Sequence, residues 1–204
     1  MLDIVRPAFF RLIYVIFVSF CAVCGVTASA QGSSPDAFAL PQSAHTPNGV
    51  EVSTTALTLR VDALRPDVLR VRVFPVGHPA EDASWAVLGA ARTARVPVTA
   101  EAAGFSTSAL RVTVLPDLRV TVADLKGNVL QQDAKPVEWS ADGFKVTKAK
   151  SNVDHFFGLG DKMGPIDRVG EAFVMWNTDN WGAQESTDPI YKSIPFFLEM
   201  NHGR

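Results

Sequence analysis

The chain has 204 residues, 47% of them hydrophobic and 20% charged, the range of ordinary globular domains, which excludes a chain disordered throughout. A formal net charge of −2 supplies no basic field for a polyanion, so general nucleic-acid binding is excluded. Cys21 and Cys24 lie close together near the N-terminus, which leaves neither a disulfide framework nor a cysteine zinc site.

Residues 1–30 differ from the rest. Arg6 and Arg11 flank the start of an apolar run from Leu12 to Val26, and Ala28-Ser29-Ala30 follows with the small-x-small pattern of a signal-peptidase site. This reads as a secretory signal peptide cleaved after Ala30, giving a periplasmic or secreted product. The alternatives are a retained anchor, for which the run is shorter than the roughly 20 residues that span a bilayer, and a lipoprotein through Cys21 or Cys24. Cleavage leaves 17 basic and 20 acidic residues and removes both cysteines, so the exported domain must be held by its apolar core.

Gln31 to Gly49 is rich in Ser, Pro, Gly and Asn and reads as a linker or irregular lead-in. From residue 50 the period becomes two. Leu57, Leu59 and Val61 alternate with polar residues, as do Leu69, Val71 and Val73; Leu110, Val112 and Val114; Leu118, Val120 and Val122; and Phe144 with Val146. Such alternation buries one face and wets the other, the mark of antiparallel sheet. Turns are expected at Arg65-Pro66-Asp67, Leu115-Pro116-Asp117, Lys126-Gly127-Asn128 and Ala141-Asp142-Gly143. Ala83 to Ala94 is the one stretch with helical character, weakened by Gly89. The expectation is an all-β, antiparallel β-sandwich over residues 50–204. Arg60, Arg70, Arg72, Arg111 and Arg119 fall on the polar sides of these strands; a ligand surface is one reading, a solvated face with cross-strand ion pairs the expected one.

Residues 153–200 have another character. Phe156-Phe157-Gly158-Leu159-Gly160-Asp161-Lys162 sets two aromatics against two glycines, and Asp167-Arg168-Val169-Gly170 follows. Next come Trp176-Asn177-Thr178-Asp179-Asn180-Trp181 and the strand-like run Asp188-Pro189-Ile190-Tyr191-Lys192-Ser193-Ile194-Pro195-Phe196-Phe197-Leu198. Aromatic rings suit the apolar faces of sugars, and Asp and Asn suit their hydroxyl edges, since a carboxylate accepts two hydroxyl hydrogen bonds in fixed geometry. A carbohydrate-contact loop over Trp176–Tyr191 is one reading; the other makes Trp176 and Trp181 core residues that hold a long loop. Asp161, Asp167 and Glu171 are read as turn caps or as partners of Lys162 and Arg168. The four histidines, His45, His78, His155 and His202, stand apart in sequence, no metal-ligand spacing occurs, and Gly158-x-Gly160 lacks the spacing of a phosphate loop. No cofactor is expected.

These motifs resemble the N-terminal β-sandwich of family 31 glycoside hydrolases, the α-glucosidase and α-xylosidase family. The match runs through Phe157-Gly158-Leu159-Gly160-Asp161-Lys162, then Trp176, Asn177 and Asp179, then Asp188 to Phe196. The resemblance implies a galactose mutarotase-like fold. It also implies a retaining hydrolase whose two catalytic aspartates sit on a following (β/α)8 barrel, with an α-linked oligosaccharide or glycoside as substrate. One sandwich loop reaches the barrel mouth, and residue-by-residue transfer places its sugar-binding Asp at Asp179, with Asn177 and Thr178 beside it. That role is hydroxyl binding and positioning rather than acid–base work. Asn180-Trp181 and Ala183-Gln184-Glu185 depart from the family pattern. A barrel needs about 250 residues, so the catalytic aspartates are expected outside this sequence, and the sandwich is expected to be incomplete at its C-terminus. Two alternatives are a stand-alone carbohydrate-binding module, using Trp176, Trp181 and Asp179, and mutarotase-like sugar epimerisation, which would need a histidine and a carboxylate together.

Overall fold

The computed structural model describes residues 41–79 and 81–201. The expected signal peptide, most of the lead-in, and His202 lie outside them. Four strands form the first sheet in sequence order: β1 (Gln42–Thr46), β2 (Gly49–Ser53), β3 (Leu57–Arg65) and β4 (Val68–Pro75). After a short helix, α1 (Gly89–Arg92), a second sheet runs β5 (Thr99–Glu101), β6 (Gly104–Ser106), β7 (Leu110–Val114), β8 (Val120–Asp124) and β9 (Val129–Gln132). Two separate hairpins follow, β10 (Glu138–Ser140) with β11 (Gly143–Lys145), and β12 (Asp154–Gly160) with β13 (Ser193–Asn201). All of these pairings are antiparallel.

The alternation read from the sequence decides which faces meet. Val50, Val52, Leu59, Val61, Ala63, Val71 and Val73 of the first sheet share one buried cluster with Phe105, Val112, Val114, Leu118, Val120 and Val122 of the second. Two sheets facing across one apolar layer make a sandwich, open rather than closed into a barrel. Each of the larger side chains stabilises the layer by roughly 1.5–3 kcal/mol. The Thr107 hydroxyl donates to Pro66 O at 2.6 Å and ties the second sheet to the β3–β4 turn.

Several expectations shift in detail. Within the expected lead-in, Gln42–Thr46 forms β1 and pairs with β2; its residues are nearly all exposed, so no alternation marked it. Strand β8 begins at Val120, because Leu118 is buried in the preceding turn with a φ of 67°. Within Ala83–Ala94, helix is confined to the single turn of α1, which Gly89 begins.

The arginines divide. Arg60 and Arg111 make the expected cross-strand or near-strand ion pairs at half-exposed positions. Arg70 and Arg72, by contrast, are buried, contrary to a solvated face. The carboxylate of Asp62, 1% exposed, accepts from Arg60 Nε at 2.9 Å, Arg72 Nη2 at 3.2 Å and Arg70 Nη2 at 3.3 Å. Asp82, from the segment between β4 and α1, accepts from Arg70 Nη1 at 3.1 Å and lies 3.5 Å from Arg92. That segment thus packs over the polar side of the sheet.

Candidate functional site

The candidate site is the excursion of residues 161–192, which leaves at the end of β12 and returns at the start of β13. Its exit is a bulge. Gly158, Leu159 and Gly160 all have positive φ, at 119°, 73° and 86°. A Cβ on Gly160 would lie 2.3 Å from Lys192 O, so only glycine fits where the two ends of the excursion meet. Asp161 N donates to that same Lys192 O at 2.9 Å, closing the base. The Phe-Gly-Leu-Gly motif is therefore a backbone requirement of this crossing.

Inside the base, Lys162 has a side chain 0% exposed. Its Nζ donates to Val174 O at 2.7 Å, Asp188 Oδ1 at 2.8 Å and Ser193 Oγ at 3.4 Å. The other Asp188 oxygen accepts from Val174 N. Arg168, also buried, donates to the carbonyls of Lys162, Met163 and Pro165. The ring of Phe173 lies 5.3 Å from the Arg168 guanidinium and 5.7 Å from Lys162 Nζ. Neither cation takes Asp161, Asp167 or Glu171 as partner. Asp167 instead caps its turn, accepting from Phe156 N at 3.1 Å and Val169 N at 3.2 Å.

Asp167 also meets His155 Nδ1 at 2.6 Å. This hydrogen bond holds the Asp167 carboxyl below its usual range; burial opposes it, and the two backbone N–H groups reinforce it. The pair brings together the histidine and carboxylate that sugar epimerisation would need, which sequence spacing did not reveal. His155 is on an exposed strand position of β12 and Asp167 is occupied by the turn it caps.

The outer part of the excursion carries the residues singled out in the sequence. Trp176 is 61% and Trp181 93% exposed, so neither is a core residue. Asp179 is exposed and its carboxylate has no hydrogen-bond or ion-pair partner among the described residues. Thr178 is half-buried beside it. Asn177 is engaged: its Oδ1 accepts from Ser193 N at 2.7 Å. Ser193 Oγ in turn donates to Trp176 O at 2.9 Å. The loop thus presents the free carboxylate of Asp179 in a segment that also carries two exposed indoles, on a base locked by buried charge. Such a surface can accept hydroxyl hydrogen bonds and cover an apolar ring face. Among the described residues, no group of three or more His, Cys, Asp or Glu could hold a metal ion.

Comparison with known proteins places these features. Residues 58–204 match the model of the glycosyl hydrolase 31 N-terminal galactose mutarotase-like domain. Alpha-glucosidase 2 of Bacillus thermoamyloliquefaciens is 32% identical over 152 residues, covering 71% of this chain and 19% of that protein. An alpha-glucosidase of Saccharolobus solfataricus is 30% identical over 83 residues, 41% of this chain and 11% of the relative. Among solved structures, a GH31 dextranase of Flavobacterium johnsoniae, in complexes with isomaltotriose and with glucose, superposes with a TM-score of 0.69 at 26% identity. That match covers 78% of this chain and 21% of the dextranase. The chain therefore spans about a fifth or less of the length of these relatives.

Proposed function

The chain belongs to the glycosyl hydrolase 31 N-terminal galactose mutarotase-like domain family, and from that premise we propose that it is the substrate-loop domain of an exported α-glycosidase. The observation that carries the reading is the exposed, unpartnered carboxylate of Asp179, which lies in sequence between the exposed Trp176 and Trp181 on a loop tied at its base by Lys162 and Asp188. In this reading Asp179 accepts hydroxyl hydrogen bonds from the sugar, Thr178 lies alongside, and the indoles cover the ring's apolar face. The two catalytic aspartates belong to a barrel outside these 204 residues. As in other retaining enzymes, their carboxyl groups stand about 5–5.5 Å apart, one attacking the anomeric carbon and the other protonating the leaving oxygen. The loop contributes binding and orientation, which alone are worth several kcal/mol of barrier when the geometry is held. Export follows cleavage after Ala30.

A second reading, a stand-alone carbohydrate-binding module, is favoured by the exposure of both tryptophans next to a free carboxylate. One comparison separates the two. An aryl α-glucoside is offered to the 204-residue chain and to the product of the coding DNA read past the Arg204 codon. Turnover by the longer product alone is expected. Turnover by the 204-residue chain that is lost in Asp179→Ala overturns the proposal. A stop codon after Arg204, with calorimetric sugar binding by the chain, selects the stand-alone module.

A further inference from the structure

We infer that Asn177 is a positioning residue, which sets the Asp179 carboxylate by tying the outgoing arm of the loop to the start of β13. The inference rests on the reading of Asp179 given above, but its own observations are independent of any ligand. The outgoing arm, Val174 to Asn177, and the returning arm, Asp188 to Ser193, are joined by side chains. The Asp188 carboxylate holds Val174 N and, through Lys162 Nζ, Val174 O. Three residues on, Asn177 Oδ1 holds the N–H of Ser193, the first residue of β13, at 2.7 Å, and Ser193 Oγ holds Trp176 O at 2.9 Å. Lys162 Nζ, 3.4 Å from Ser193 Oγ, links these ties into one network.

Asn177 is the last residue held by these ties before Asp179. Asp179 follows two residues later, and two residues of chain span at most about 7 Å. Fixing Asn177 therefore confines Asp179 to a small volume, whereas releasing it frees the chain back to Trp176. The tie uses the amide oxygen as acceptor. This makes the acceptor role testable, because Asn177→Asp keeps an acceptor and loses the donor, while Asn177→Leu keeps the approximate shape and loses both.

The test is 15N NMR on the 204-residue chain, reading Ser193 amide exchange and backbone order at Asp179. Asn177→Leu is expected to speed Ser193 exchange at least tenfold and to lower the Asp179 order parameter from about 0.85 toward 0.6. Asn177→Asp is expected to stay within twofold of the parent in exchange and to keep the order parameter, a rescue that a role for the Nδ2 donor would not give. Unchanged exchange and order in Asn177→Leu overturn the inference, as does faster Ser193 exchange with Asp179 order intact. Failure of Asn177→Asp to rescue overturns it too. None of these readouts involves sugar, so a failure of the Asp179 reading would show separately, as an Asp179→Ala variant that keeps full activity in the longer product.

Discussion

Replacing Asp62 by alanine leaves three guanidiniums, those of Arg60, Arg70 and Arg72, without the carboxylate they share. Asp62 is 1% exposed, and Arg70 and Arg72 are buried with it, so water cannot replace the lost partner. Breaking a buried ion pair by removing one side costs about 3–5 kcal/mol. For a chain of this length each kcal/mol lowers the melting temperature by about 2–4 °C, so Asp62→Ala is expected to melt roughly 6–20 °C lower. Arg72→Met provides the contrast. Burial, and then the neighbouring Arg70 charge, lower the Arg72 pKa, with the Asp62 carboxylate opposing. Its Nε has no hydrogen-bond partner. Removing it leaves Asp62 paired with Arg60 and Arg70 and relieves like-charge crowding, so the loss is expected to be less than half that of Asp62→Ala. The assay is urea and thermal unfolding followed by far-UV circular dichroism. A loss below about 1 kcal/mol for Asp62→Ala, or an equal loss for both variants, would refute the argument that one buried carboxylate organises this face.

Three further outcomes follow from the β12–β13 hairpin and its bulge. Gly160→Ala places a Cβ 2.3 Å from Lys192 O at a φ of 86°, and is expected to cost more than about 2 kcal/mol; Gly127→Ala, at a similar φ with nothing nearby, should cost about half as much by urea unfolding. Burial, then the Asp154 charge, raise the Glu199 pKa above its usual value, with Lys148 opposing. Its ionised form is therefore disfavoured in the fold, and the penalty grows as pH rises through the unfolded value near 4.3. Glu199→Gln should accordingly melt higher than the parent at pH 7 and level with it below about pH 3.5. Ile194, Phe196, Leu198 and Met200 are exposed on one side of β13, and among the described residues its second edge has no strand partner. Sedimentation velocity should show concentration-dependent association, reduced in a Phe196→Lys/Leu198→Lys variant; a single monomer species at all concentrations would contradict this.

The sandwich was legible because its central strands obey period two: Leu59, Val61, Val71, Val73, Val112 and Val120 all point into one layer. Where the rule failed, the physical cause can be named. Strand β1 lies at a sheet edge and is mostly exposed, so its side chains carry no apolar signal. Leu118 enters the core from a turn rather than a strand. Arg70 and Arg72 looked solvated because their partners, Asp62 on the neighbouring strand and Asp82 beyond β4, cover them only after folding. The loop was legible through its motif and not through its contacts. Lys162 and Asp188 stand 26 positions apart, Asn177 and Ser193 sixteen, and no local pattern marks pairs joined only by the closure of a long loop. The same closure turns Trp176 and Trp181 outward, where composition alone had left a core role open.

The most direct measurement is the hydrolysis of an aryl α-glucoside by the product of the coding DNA read past the Arg204 codon, with and without Asp179→Ala, alongside its melting temperature. With Asp179 as the sugar-contacting carboxylate, kcat/KM falls by about 100-fold while the melting temperature is unchanged, since the side chain is exposed and unpartnered. A kcat/KM within threefold of the parent would contradict the account.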